Sequence, residues 1–123
     1  MALAYICGEL VLKNLVGRAR PFSAFPEMLL LIPASADYSF PSGHTSSSFA
    51  SASLFRYKRS WGVLAIIAAM IPAALIAFSR MYLFVHYPGD VMAGILLGIG
   101  MSFSAIPIAR PLMNAAEKIW GPE

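Results

Sequence analysis

Apolar stretches alternate with short polar islands along the chain, and the alternation predicts a helical bundle. Met1 to Leu15 is mostly apolar (Leu3, Tyr5, Ile6, Leu10, Val11, Leu12) but carries Glu9 and Lys13. It is about one helix long and short of the ~20 residues that cross a bilayer. It therefore either lies tilted among other helices or begins before Met1. Lys13, Arg18 and Arg20 form a cationic cluster that Pro21 closes, since proline stops a helix. From Phe22 to Phe40 a loop holds Pro26, Pro33, Ser35, Asp37 and Ser39 around Met28-Leu29-Leu30-Leu31-Ile32, which reads as an interfacial loop with a dipping segment.

Pro41-Ser42-Gly43-His44 opens a helix that continues to Phe55 and is dominated by serine and alanine. Small side chains let helix backbones approach closely in a membrane, so this element belongs in the middle of the bundle. It ends at the basic loop Arg56-Tyr57-Lys58-Arg59-Ser60. Trp61 to Phe78 and Val91 to Ile108 are uncharged runs of 18 residues each, the first containing Pro72. The second contains Gly94 and Gly98, a spacing that suits close helix packing or pairing with a second copy in a homo-oligomer. Between these runs lies a charged island, Ser79 to Asp90. Alternating crossings put the Lys13–Arg20 cluster, the Pro41–His44 helix start and the Ser79–Asp90 island on one membrane face.

Composition sharpens this to an all-α membrane bundle of about four long helices in a single domain, residues 1–123. Hydrophobic residues make up 59% of the chain and charged residues 12%, against roughly 25% charged in soluble domains. The net charge is +3. The basic residues are scattered without a run or stripe, which excludes a nucleic-acid partner. Cys7 is the single cysteine, so no intrachain disulfide forms. The N-terminal stretch lacks the basic region and cleavage site of a signal peptide. The positive-inside rule places the Arg56–Arg59 loop, with Arg110 and Lys118, in the cytoplasm and the polar islands outside.

The islands carry phosphate chemistry. Lys13, Arg20 and Arg80 are suited to hold phosphoryl oxygens and to neutralise charge that grows in an in-line transition state; the plainer reading makes such cations headgroup anchors, and Arg18 is assigned to it. Ser42 and Gly43 sit at a helix start, where unpaired N–H groups attract anions. His44 is placed as a general acid, His86 as a nucleophile and Asp90 as the group that holds the imidazole's other nitrogen. The plainer readings are a Pro-Ser cap with a passive His44, an interfacial His86, and Asp90 as the N-cap of the last helix. Two histidines and few carboxylates offer no zinc-like ligand set, so no metal or other cofactor is expected.

Lys13 with Arg20-Pro21, then Pro41-Ser42-Gly43-His44, then Ser79-Arg80 with His86 and Asp90, resembles the three-part signature of the type 2 phosphatidic acid phosphatase and vanadium haloperoxidase superfamily at every position. The resemblance implies a helical bundle and metal-independent dephosphorylation through a phosphohistidine. It assigns Lys13, Arg20, Ser42, Gly43 and Arg80 to phosphate, His44 to proton donation, His86 to attack and Asp90 to orienting His86. Membrane members carry further helices before the first motif, so this chain reads as an N-terminally shortened version of a six-helix core. The expected substrate is a phosphorylated lipid in the bilayer: undecaprenyl diphosphate, phosphatidic acid or phosphatidylglycerophosphate. Phe-Pro-Ser-Gly-His-Thr and His-Tyr-Pro-Gly-Asp look like bacterial cell-envelope members, which implies the cytoplasmic membrane with the site on its extracytoplasmic face. The alternatives are a soluble acid phosphatase or vanadate haloperoxidase with the same pocket, and an inactive phosphate-binding membrane module.

Overall fold

The computed structural model describes residues 6–25, 27, 30–54 and 62–120, and every element among them is helical. A π-helical stretch, Ile6–Leu12, passes into α1 (Lys13–Val16). Gly17 ends α1 in the left-handed conformation, φ 58°, and its N–H returns to the Lys13 carbonyl, as glycine does at helix ends. A single turn, α2 (Pro21–Ala24), follows. The body consists of α3 (Gly43–Leu54), α4 (Gly62–Tyr82) and α5 (Pro88–Trp120). The basic loop Arg56–Ser60, Trp61, Met1–Tyr5 and part of the apolar segment at Met28 and Leu29 lie outside the described residues, as do the side chains of Cys7, Glu9, Arg110 and Lys118.

Two boundaries differ from the pattern of apolar runs in ways that matter for the site. α4 continues past Phe78 to Tyr82, so Ser79 and Arg80 occupy its last turn instead of a free island. α5 starts at Pro88, a residue preorganised for a first helical position. Asp90 is therefore inside the first turn and not the N-cap. Its carboxylate reaches back to accept the Tyr87 N–H at 2.9 Å, the acidic half of a capping box. α4 stays helical through Pro72, and α5 runs through Pro107 and Pro111, well past Ile108.

The serine-rich α3 is the centre, packed most extensively on α5 and next on α4, while α4 and α5 meet little. Its core contacts are small: Ala50 and Ala52 are buried, with Ala73 and Ala77 of α4 and Val91 of α5. A Cβ at Gly94 would stand 2.8 Å from the Ser42 carbonyl oxygen, and one at Gly98 would stand 2.3 Å from that of Ser46. The glycine face offered above to a second copy is thus filled by the chain's own α3. Most of the α3 serines bond to their own helix: Ser47 donates to the Gly43 carbonyl at 2.7 Å, Ser48 to His44 at 2.7 Å and Ser51 to Ser47 at 2.9 Å, while the buried Ser53 hydroxyl has no partner among the described residues. Such back-bonding lets hydroxyls sit where water is scarce.

α4 turns its large side chains outward; Leu64 is 79% exposed, and Leu75 and Phe78 are also open. Val63–Tyr82 and Pro88–Ala105 are long and apolar enough to cross a membrane, and a bilayer is the medium that would cover such a face. The turn from α4 to α5 is tight. The Val85 and His86 N–H groups both donate to the Arg80 carbonyl, at 3.2 and 3.3 Å. Phe84 takes φ 58° there, a conformation that costs a side-chain-bearing residue roughly 1–2 kcal/mol. Its ring meets Phe25 edge-on at 5.8 Å. The turn delivers His86 to the site.

Candidate active site

The three islands converge. The Ser42 N–H donates to the Asp90 carbonyl at 3.0 Å, so the first turns of α3 and α5 are joined at the point where α1 ends and the α4–α5 turn passes. Beside this joint lies a cavity of about 340 Å³. Lys13 and Arg20 line it, Gly43 and His44 enter from the start of α3, and His86 enters from the turn. Ser35 and Asp37 of the preceding loop complete the rim with Ser46 and Ser47. Ser42 and Asp90 are fully buried and do not line the cavity; the Ser42 hydroxyl accepts from that of Thr45 at 2.9 Å. The Arg80 side chain is not part of the lining. Its Nε donates to the Ser79 hydroxyl at 3.4 Å, and its carbonyl anchors the turn.

The tautomer of His86 follows from its two neighbours. Nδ1 lies 2.8 Å from the Ser39 carbonyl oxygen, which can only accept, so Nδ1 carries the proton. Nε2 lies 3.3 Å from Arg20 Nη1, which can only donate, so Nε2 presents a lone pair. Burial, then the charge of Arg20 and more weakly that of Lys13, outweigh the Ser39 carbonyl and Asp90, and lower the pKa of His86 to about 4. At neutral pH the ring is an uncharged imidazole whose Nε2 lone pair faces Arg20, with Lys13 on the same cavity.

Asp90 supports this ring indirectly. Its Oδ2 is 3.7 Å from Nδ1, beyond a hydrogen bond, because the Ser39 peptide takes the Nδ1 proton. The carboxylate instead accepts from the Ser39 hydroxyl and, at Oδ1, from Arg18 at 2.9 Å. Arg18 also lies over the Tyr87 ring at 4.0 Å. Its reading as a headgroup anchor gives way to an ion pair with a carboxylate that has no exposed surface. The Ser39 N–H donates to the Arg18 carbonyl at 2.8 Å, which closes the set Arg18, Ser39, His86 and Asp90 into one network.

Lys13 and Arg20 are 6% and 7% exposed, and buried cations need a counter-charge. Asp37 supplies it. Arg20 donates to the Asp37 carboxylate through Nη2 at 2.7 Å and to its carbonyl through Nε at 3.0 Å. Lys13 and the Ser35 hydroxyl donate to the same carboxylate. Partial burial works against ionisation of Asp37, but the Lys13, Ser35 and Arg20 bonds overcome it and hold the carboxyl well below its usual range. Sequence reasoning passed over Asp37, Ser39 and Arg18 as site residues. For Asp37 a signal existed: it is the only acidic residue between Glu27 and Asp90, on the loop that joins two cationic or anion-binding islands. Among the described residues no three His, Cys, Asp or Glu side chains group as they would around a metal ion.

The arrangement gathers two buried cations, a neutral imidazole and a second histidine around one cavity, a constellation suited to an anion. Comparison with known proteins points the same way. The profile of the PAP2 superfamily matches residues 1–113. An undecaprenyl-diphosphatase of Sulfolobus acidocaldarius is 38% identical over 109 residues, which cover 86% of this chain and 50% of that protein. A decaprenylphosphoryl-5-phosphoribose phosphatase of Mycobacterium tuberculosis is 38% identical over 88 residues, 72% of this chain and 46% of that protein. A probable diacylglycerol pyrophosphate phosphatase of Schizosaccharomyces pombe is 31% identical over 140 residues, 84% of this chain and 50% of that protein. The chain spans about half the length of these relatives. No solved structure matches.

Proposed function

The chain belongs to the PAP2 superfamily, and from that premise we propose that it hydrolyses a lipid phosphate or diphosphate, without a metal, through a phosphohistidine intermediate. The observation that carries the reading is the lone pair of His86 Nε2 beside Arg20 in a cavity lined by two buried cations. A phosphoryl group seated on Lys13 and Arg20 has its negative charge matched before reaction, the form of stabilisation that contributes most to phosphoryl transfer. Nε2 then attacks phosphorus, the bond to the bridging oxygen breaks, and His44 gives that oxygen a proton. Deprotonated His44 next takes a proton from water, which attacks the phosphohistidine and releases inorganic phosphate. The Ser39 carbonyl holds the Nδ1 proton throughout, as the charge on the ring rises and falls. Gly43, at the start of α3, brings backbone close to the seat, while Ser42 and Asp90 join the two helices behind it.

Several features favour a lipid substrate. α4 is open along its apolar face, which weighs against a soluble acid phosphatase or haloperoxidase. A second cavity of about 340 Å³, lined by Phe49, Ala74, Phe78, Met81, Met92 and Ile95 among others, opens between α3, α4 and α5 and suits hydrocarbon. The names of the relatives favour a polyprenyl or glycerolipid diphosphate or monophosphate. A bacterial cytoplasmic membrane with the site on the outer face accords with the charge pattern of the sequence.

The test is phosphate release from undecaprenyl diphosphate and from phosphatidic acid by the purified chain in detergent with a chelator present. Release that persists with chelator and falls at least about a thousandfold in His86→Ala, with 32P trapped on the wild-type protein after acid-free quenching, is the expected result. Release that needs a divalent metal, or that survives in His86→Ala, would overturn the mechanism.

A further inference from the structure

We propose that Asp37 is a displaceable internal ligand of the phosphate seat, and so a determinant of how tightly, and for which charge, the site holds a phosphoryl group. This rests on the reading of the cavity as a phosphate site. Lys13 and Arg20 are the cations that would hold the phosphoryl oxygens, and both give their charge-assisted hydrogen bonds to the Asp37 carboxylate. Asp37 lines the same cavity as His44 and His86. A carboxylate presents two oxygens to this pair of donors much as a phosphate presents two of its non-bridging oxygens.

The asymmetry of burial shows which partner can leave. The Lys13 and Arg20 side chains are 8% and 7% exposed and fixed by the fold, Arg20 by the Val85 carbonyl as well. The Asp37 side chain is 44% exposed and sits on a loop whose neighbours Ala34, Ser35 and Ala36 are also exposed. In the empty site Asp37 spares two buried cations the cost of standing unpaired. When a phosphoryl group arrives, the carboxylate turns to water, where its hydration is recovered. A bound anion must therefore compete with a built-in one. The competitor is a monoanion held ionised by its partners, so ligands of charge −2 or more gain most against it.

Occupancy sets the size of the effect. If Asp37 fills the seat roughly nine-tenths of the time, the apparent Kd of an anion is about tenfold weaker than the intrinsic one. The experiment compares orthovanadate and inorganic phosphate binding by the wild type and Asp37→Asn in detergent, by calorimetry, alongside phosphate release from the lipid substrates. Asp37→Asn is expected to bind both anions about tenfold more tightly and to show a lower KM with stronger inhibition by product phosphate. Weaker or unchanged binding in Asp37→Asn would overturn the proposal and make Asp37 a residue that merely positions Lys13 and Arg20. Loss of the counter-charge also destabilises the empty fold, so circular dichroism and thermal melts are recorded with and without phosphate. Phosphate restores the fold of Asp37→Asn if the anion takes the vacated place; a variant unfolded in both conditions counts against it. A wild type that hydrolyses lipid while Asp37→Asn fails these tests overturns the Asp37 inference alone. Tighter vanadate binding in Asp37→Asn without lipid hydrolysis by the wild type overturns the phosphatase reading alone.

Discussion

His86 shows how a single residue's chemistry is set by what surrounds it. A histidine buried next to an arginine resists protonation, and the sign of the consequence is fixed. The unfolded chain binds a proton near 6.5 and the folded one near 4, so fold stability falls as pH drops between those values and is unaffected by this group above them. The proposed attack needs the unprotonated Nε2, so the acid limb of kcat/KM should lie near pH 4 instead of near 6.5. A pH–rate profile with a soluble phosphate ester checks this, and a limb at 6.5 would mean that the ring is not held as described. The histidine itself was legible in the sequence because it belongs to a spaced signature. Its holder was not. The carbonyl that orients Nδ1 belongs to Ser39, and any residue type supplies a carbonyl, so no letter in the sequence marks it. Arg18 was missed for another reason: a cation near a membrane has a ready explanation as a headgroup anchor, and only the fold reveals that it faces Asp90.

At the scale of elements, the seam between α3 and α5 fixes the distance between His44, at the start of one helix, and Asp90, in the first turn of the other. Gly98 decides how close the helices come. A methyl group there would meet the Ser46 carbonyl oxygen at 2.3 Å and the Ala50 nitrogen at 3.0 Å, both backbone atoms that cannot swing aside. Gly98→Ala should therefore cost about 3 kcal/mol and reduce activity by parting the two helix starts. Gly100→Ala, two residues on, has nothing within 4 Å and should be neutral or gain up to ~1 kcal/mol in helix propensity. Unfolding midpoints in detergent compare them directly; equal losses would show that the seam is looser than drawn. The alternation of apolar runs gave the helices their existence and order. Helix ends were less legible: α4 passes its last apolar residue because the turn that closes it is built from backbone bonds to Arg80, and α5 starts early because Pro88 and the reach-back of Asp90 start it.

The whole molecule joins a polar cavity to apolar surroundings, and both sides should be separable by substitution. Ala74 is exposed and lines the apolar cavity between α3, α4 and α5, so Ala74→Trp would fill it without entering the core. The KM for a long-chain lipid phosphate should rise about fivefold or more while that for p-nitrophenyl phosphate stays unchanged; a parallel rise in both would remove the cavity from substrate binding. One further consequence follows from the position of α3. Its described span, Gly43–Leu54, is rich in serine and carries His44, which makes it a poor passenger through a hydrocarbon layer by itself. The helix that covers its close-packed face, α5, is synthesised after it. During translation, then, the element carrying His44 reaches the membrane with no permanent place there, and it must wait at the insertion machinery or at the interface until α5 emerges. The candidate site is completed by α5, and a ribosome that stops short of α5 leaves behind a chain without the seam that joins the two helix starts.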